Sequence, residues 1–172
     1  MTLQQIYERA NVLAENNFAE LEDVVGHLNA AQSIISRFDP IKSEPYYTMV
    51  TENGIMLPSD LLKVYRIYVD DEPYQPIESA WGSTIPDLHL PLGAVVKILY
   101  YAKPPDLMAS APYMEPRVYR HYHEAMAQYA AKMFYLIDDD PPLRDAFNSE
   151  FMTMLGSLKT SDGVVQRFSN YF

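Results

Sequence analysis

The sequence predicts an α+β fold: a four-helix bundle with an antiparallel β-rich insertion between helices 2 and 3, and an extended C-terminal tail. Three observations carry this expectation. Apolar residues recur at helical spacing in two blocks near each end of the chain. Between those blocks, over about 45–103, the period falls to two and strand-forming residues alternate with turn residues. Prolines stand where the pattern changes, at Pro40, Pro104-Pro105 and Pro141-Pro142. A chain of 172 residues suits one domain, here about 1–160, followed by a tail at 161–172.

The first helix is predicted over about 3–16. Thr2 and Gln5 have the spacing of a capping box, and Leu3, Ile6, Ala10 and Leu13 follow as a stripe before Asn16-Asn17. A second helix, about 20–38, carries Leu21, Val24, Val25, Leu28, Ala31, Ile35 and Phe38 and stops at Asp39-Pro40. Tyr46 to Val50 then reads as a strand, and Asn53-Gly54 as a hairpin turn returning through Ile55-Met56-Leu57, with Leu57-Pro58 closing the hairpin. Lys63 to Val69 alternates, with Val64, Arg66 and Tyr68 on one face and Tyr65, Ile67 and Val69 on the other. Asp70-Asp71-Glu72-Pro73 is a turn, Tyr74 to Ile77 a short return strand, and Val95 to Tyr101 a further strand. Ser79 to Gly93 reads as loop; its Trp81, the single tryptophan, suits either packing on the sheet or an interface.

Pro104-Pro105 and Pro112 mark a linker. A third helix is predicted over about 116–138, with Val118, Tyr122, Ala125, Met126, Tyr129, Met133, Leu136 and Ile137 as its stripe. Asp138-Asp139-Asp140 suits the start of a fourth helix, about 142–159, whose stripe is Leu143, Phe147, Phe151, Met154, Leu155 and Leu158. The shared spacing predicts that Leu21, Val25, Leu28, Tyr122, Met126, Tyr129, Phe147, Phe151 and Met154 are mostly buried. Thr160 to Gly163 ends the fourth helix.

Composition narrows the function. With no cysteine there is no disulfide, thiolate metal site or cysteine nucleophile, and a reducing compartment fits. A net charge of −10 argues against wrapping DNA through its phosphates. No apolar run has the length of a membrane span, and residues 1–5 lack the basic and apolar regions of a secretory signal. His121 and His123, two apart on a predicted helix, face different ways, so no metal site is expected. Phosphate-binding glycine loops and nucleophile elbows are missing. The expectation is a protein that is not an enzyme, with no catalytic residue, no cofactor and no metal; a hydrolase with dispersed carboxylates is the enzymatic alternative.

Three stretches together resemble the adaptor, or head-to-tail connector, proteins of tailed double-stranded DNA bacteriophages. The first is Leu28-Asn29-Ala30-Ala31-Gln32. The second runs from Leu57-Pro58-Ser59-Asp60 through Val69-Asp70 and Glu72-Pro73 to Pro76-Ile77, a Leu-Pro-x-Asp lead-in to a strand that ends in an acidic turn. The third is Leu99-Tyr100-Tyr101-Ala102-Lys103-Pro104-Pro105, which leads to the paired C-terminal helices. The motif residues Leu57, Pro58, Asp60, Pro104 and Pro105 are structural rather than catalytic. In this reading Asp60 bonds backbone two residues on, and the two prolines aim the chain out of the sheet.

The resemblance implies a structural virion protein, sited at the head-tail interface and assembled in the cytoplasm of a bacterial host. Its implied partners are the portal protein, a downstream tail or nozzle protein, and itself, as a dodecameric ring extending the DNA exit channel. Double-stranded DNA passes without specific binding, and no membrane is involved. Abundant tyrosine, 14 residues, suits subunit interfaces. Part of the acidic excess is expected to line the DNA passage. Within the tail, Val164, Val165, Phe168, Tyr171 and Phe172 are expected to dock on the portal or a neighbouring subunit, with strand addition to an exposed sheet edge as one route. The alternatives are another head-closure or tail-completion protein, or an acidic host-directed binding module.

Overall fold

The computed structural model describes residues 1–52, 54–74 and 90–158. Among these the chain is mixed α+β, with four α-helices and a four-stranded antiparallel sheet. The order is α1 (Leu3–Leu13), α2 (Leu21–Phe38), β1 (Tyr46–Met49), β2 (Leu61–Val69), β3 (Glu72–Tyr74), β4 (Val95–Ala102), a 3₁₀ turn (Arg120–Tyr122), α3 (His123–Ile137) and α4 (Pro141–Leu158).

Local chemistry sets most helix ends. The Gln5 amide donates to Thr2 Oγ1 and the Thr2 amide to Gln5 Oε1, which completes the capping box of α1. That helix stops earlier than expected. Glu15 and Asn16 take positive φ, and the Asn16 amide folds back to the Asn11 carbonyl. Of the three consecutive acids, Asp139 turns the chain with a φ of 56°, and Asp140 Oδ1 accepts from the Leu143 amide at the start of α4.

The third helix is shorter than its apolar stripe. Tyr119 is extended and regular helix begins only at His123. Pro116 and the buried Val118 belong instead to a strap, 103–119, that crosses the helices. At the other end Leu136 and Ile137 point to solvent. The 3.6-residue period carries them off the face occupied by Ala127, Ala130 and Ala131.

Helix α3 packs against α1, α2 and α4, while α1 touches α2 only lightly. Leu28, Tyr122, Met126 and Phe151 are buried in this core. Leu21, Val25, Tyr129, Phe147 and Met154 are half-buried rather than buried, because they flank the contact between helices.

The sheet departs most from expectation. Its strand order is β1-β4-β2-β3. Thr51 and Gly54 exchange backbone hydrogen bonds across a tight turn, but residues 55–57 do not return as a paired strand. β1 pairs with β4 instead. β4 alternates cleanly, with Val96, Ile98, Tyr100 and Ala102 inward, and takes a neighbour on each edge. Ile55 and Leu57 pack over that inner face without joining the ladder.

The strict alternation expected of β2 also fails. Its register against β4 slips between Leu61 and Lys63 and again between Val64 and Arg66. Each irregularity inserts one residue, so Val64 and Ile67 pack in the same cluster despite their opposite parity. At the tip, Asp70 and Asp71 both have positive φ, as a two-residue type I′ hairpin requires.

Candidate functional site

The residues nominated by the sequence motif meet where the helices give way to the sheet. Leu57 is half-buried against the sheet cluster, and Pro58 and Pro104 are buried. Asp60 does not make the local turn bond expected of it. Its Oδ1 accepts from the Tyr100 hydroxyl at 2.9 Å, from the β2 side across to β4, and its carbonyl takes the Lys103 amide at 2.6 Å. Tyr100 lies on the central strand with its ring inward, so this carboxylate is the acceptor within its reach. Burial raises the Tyr100 hydroxyl above its ordinary pKa; the Ser43 side chain opposes this and the Asp60 carboxylate adds to it, so the hydroxyl remains a donor.

Pro105 is exposed, but its carbonyl is held: Gln32 Nε2 donates to it at 2.9 Å. Gln32 Oε1 accepts from the Arg117 amide at 3.0 Å, so one side chain clamps both ends of the strap. One turn earlier, Asn29 grips Leu107 at both backbone groups, accepting from its amide at 2.7 Å and donating to its carbonyl at 3.1 Å. The strap is therefore ordered rather than a simple linker. Its far end pairs with α1, where the Leu3 and Gln4 amides donate to the Met114 and Pro112 carbonyls. Backbone that crosses a core must satisfy its polar groups, and amide side chains at i and i+3 on one helix do so here. Sequence periodicity assigned Asn29 and Gln32 no such role; a buried amide inside an apolar stripe was the available signal.

Beneath the strap, the Tyr122 hydroxyl donates to Asp39 Oδ2 at 3.0 Å, both groups buried. Burial first, then the Asp39 carboxylate, push this hydroxyl well above its ordinary pKa. His123 is 1% exposed; its Nδ1 accepts from the Met1 amine at 2.7 Å, which requires the neutral ring protonated at Nε2. Burial, then the adjacent amine, lower its pKa to about 4. These groups fix structure. Among the described residues no three His, Cys, Asp or Glu side chains gather as metal ligands. No helix among them is long and apolar enough to cross a membrane.

The outer face of the sheet is the second notable surface. Register sets Tyr47, Lys97 and Tyr68 side by side across β1, β4 and β2. Sequence reading missed this face, although Lys97 inside an apolar strand signalled it; the irregularities in β2 hid the rest. Beside it an open depression of about 300 Å³ is lined by Tyr47, Asp70, Asp71, Val95 and Lys97.

The docking residues expected in the tail, Val164, Val165, Phe168, Tyr171 and Phe172, lie outside the described residues. So do Asn53 of the turn, Pro76 and Ile77, Trp81, His89 and the helix stop at Thr160 to Gly163. Compared with known proteins, the chain matches no family model and no curated sequence.

Proposed function

We propose that the chain is a structural virion subunit, one copy of a dodecameric adaptor ring that joins the portal of a tailed bacteriophage to its tail. The observation that carries this reading is where its three family-like stretches meet. Asn29 and Gln32 come from the first, Asp60 from the second, and Tyr100 with Pro105 from the third. Hydrogen bonds tie Asp60 to Tyr100 and Gln32 to Pro105, across 40 and 73 residues of chain. The stretches that carry the resemblance thus build one joint between helices and sheet, and a subunit that passes load along a channel needs such a joint.

In this reading the helices form a four-helix bundle, with the sheet as its insertion. The subunit is not catalytic and holds no cofactor. Portal binds on one side of the ring and a tail or nozzle protein on the other. DNA slides past walls whose acids repel its phosphates. The tail residues Val164, Val165, Phe168, Tyr171 and Phe172 dock on portal or a neighbouring subunit.

Co-expression with the portal from the same genome, followed by electron microscopy of the purified complex, tests the assignment. Class averages should show a ring of this chain beneath the portal. A stable monomer with no affinity for portal would overturn the reading in favour of a binding module. Deleting residues 164–172 should leave the melting temperature unchanged and abolish assembly on portal; a truncated chain that assembles normally refutes the docking role.

A further inference from the structure

Two surfaces at opposite ends of the molecule carry opposite chemistry. On the outer sheet face, Lys97 Nζ stands 5.7 Å from the Tyr47 ring centre and 5.6 Å from that of Tyr68. Arg66, opposite Leu99 in the ladder, donates to the Tyr68 hydroxyl at 3.3 Å. Farther along, Tyr65 leans on Tyr101 with ring centres 4.9 Å apart, and Lys42 stands 5.7 Å from the Tyr65 ring. The paired residues Met49 and Val95 are exposed on the same face, at 60% and 46%. No strand position on this face is acidic; the acids stand at its rim, in the Asp70-Asp71 turn. Four of the chain's 13 Lys and Arg residues, Lys42, Lys63, Arg66 and Lys97, gather on or beside it.

The other surface is the far end of the helices. Helix α3 starts beside the joint, where Tyr122 holds Asp39, and runs 15 residues, about 22 Å, away from it. There Leu136 and Ile137 are exposed, Ile137 at 73%. The last turn of α1 arrives alongside: Tyr135 donates to the Leu13 carbonyl at 3.3 Å, and Val12 is exposed. Acids surround these apolar groups. Glu15, Asp140 and Asp138 all act on the Tyr135 hydroxyl, reinforcing the upward shift that burial gives it.

We propose that these surfaces meet between copies: the cationic tyrosine face of one sheet docks on the acidic, apolar α1–α3 end of the next chain. The proposal deepens the ring reading and rests on it. Complementarity holds in both respects that matter, since lysine and arginine meet aspartate and glutamate while Met49 and Val95 meet Leu136 and Ile137. Apolar contact at the centre supplies affinity, and the surrounding charges supply orientation and exclude wrong registers. The two surfaces differ, so the contact is heterologous and propagates from copy to copy, as a ring demands. Their separation along α3 directs each surface to another copy. A nucleic acid is the less fitting occupant, because a chain of net charge −10 repels phosphates and the exposed Met49 and Val95 offer them nothing.

The test uses the full chain with its portal and two charge-altered variants, R66E/K97E and D138K/D139N. Asparagine is chosen at 139 because that residue has positive φ, and Asp140 is left as the α4 cap. Sedimentation velocity and electron microscopy read assembly, and thermal melting reads folding. Each variant alone should raise the concentration needed for assembly by about tenfold or more. A 1:1 mixture should pair the two variants, because the unaltered sheet face of D138K/D139N then meets the unaltered acidic end of R66E/K97E. Normal assembly by both variants, or no pairing on mixing, overturns the docking and leaves the ring reading standing. Wild-type chain that assembles neither alone nor on portal overturns both. If R66E/K97E fails to fold, D138K/D139N alone decides whether the acidic end is needed. Binding of a labelled single-stranded DNA oligonucleotide that R66E/K97E abolishes would overturn the proposal in favour of a nucleic-acid platform.

Discussion

The helical region and the sheet solve the same problem, burying one apolar face, with different means. The helical core draws on α1, α2, α3 and α4 and on the strap, and it fastens them with buried polar side chains: Gln32, Tyr122 with Asp39, and His123. The sheet has its own small cluster around Ile67, Val96, Ile98, Tyr100 and Ala102. No helix packs broadly on a strand among the described residues. The difference teaches how roles divide along the chain. The helices and strap hold the structure, while the sheet is covered on one side by Val50, Ile55 and Leu57 and keeps Tyr47 and Met49 exposed on the other. Asp60 and Tyr100 belong to the seam between the two.

The largest effect expected from a single substitution lies in the helical core. Leu28 is fully buried where α2 meets α3, and Leu28→Ala should cost about 3 kcal/mol or more. Chemical unfolding followed by helical circular dichroism should show the loss, while amide exchange across β2 and β4 changes less. An equal loss of protection in sheet and helices would break the division of roles proposed above. Acid gives a comparable loss through His123. Its pKa falls from 6.5 to about 4 in the folded chain, so the unfolded chain takes up the proton first as pH drops. Stability is therefore intact above about pH 6.5 and declines as pH falls towards 4, by about 3 kcal/mol in all. Burial dominates this shift; the Met1 amine and Arg120 add to it, and Glu115 opposes it. Unfolding curves of His123→Gln across that range should decline less than those of wild type. Equal decline would assign the acid sensitivity to other groups.

The strap comes next in size. Gln32→Leu keeps the volume but leaves the Pro105 carbonyl and the Arg117 amide without their side-chain partner. The expected cost is about 2 kcal/mol, with faster amide exchange at Arg117. Unchanged exchange there would show that the clamp contributes little.

How legible these features were depended on the range of the interactions behind them. The capping box of Thr2 and Gln5 and the cap at Asp140 are local, and the chain advertises them within three residues. The α+β class followed from the change of period alone. Strand partnership was harder. Asn53-Gly54 directs Tyr46 to Val50 towards residues 55–57, yet β4 competes for the same edge with a longer, more apolar surface and prevails. The irregularities at Leu61/Lys63 and Val64/Arg66 leave no mark in composition, so the expected faces hold from Arg66 to Val69 and fail at Val64 and Tyr65. The clamp of Asn29 and Gln32 spans 73 residues or more and depends on tertiary placement.

The smallest expected effect sharpens the comparison from the sheet side. Asp70 and Asp71 hold the β2–β3 turn with positive φ at two residues that carry a Cβ. Left-handed backbone is disfavoured for such residues and costs little for glycine, while asparagine tolerates it better than most. Asp70 also accepts from the Val95 amide at 3.0 Å, a bond that the asparagine oxygen can keep. Replacing the pair by Asp70→Asn and Asp71→Gly should thus stabilise the hairpin by about 0.5–1 kcal/mol. Amide exchange should slow across β2 and β3. Helix exchange and the global melting midpoint should scarcely move, because the sheet cluster is built apart from the helical one. A midpoint that rises as far as the hairpin is stabilised would mean that the two regions open as one unit. The joint of Asp60 and Tyr100, with the strap behind it, would then transmit folding energy as well as position.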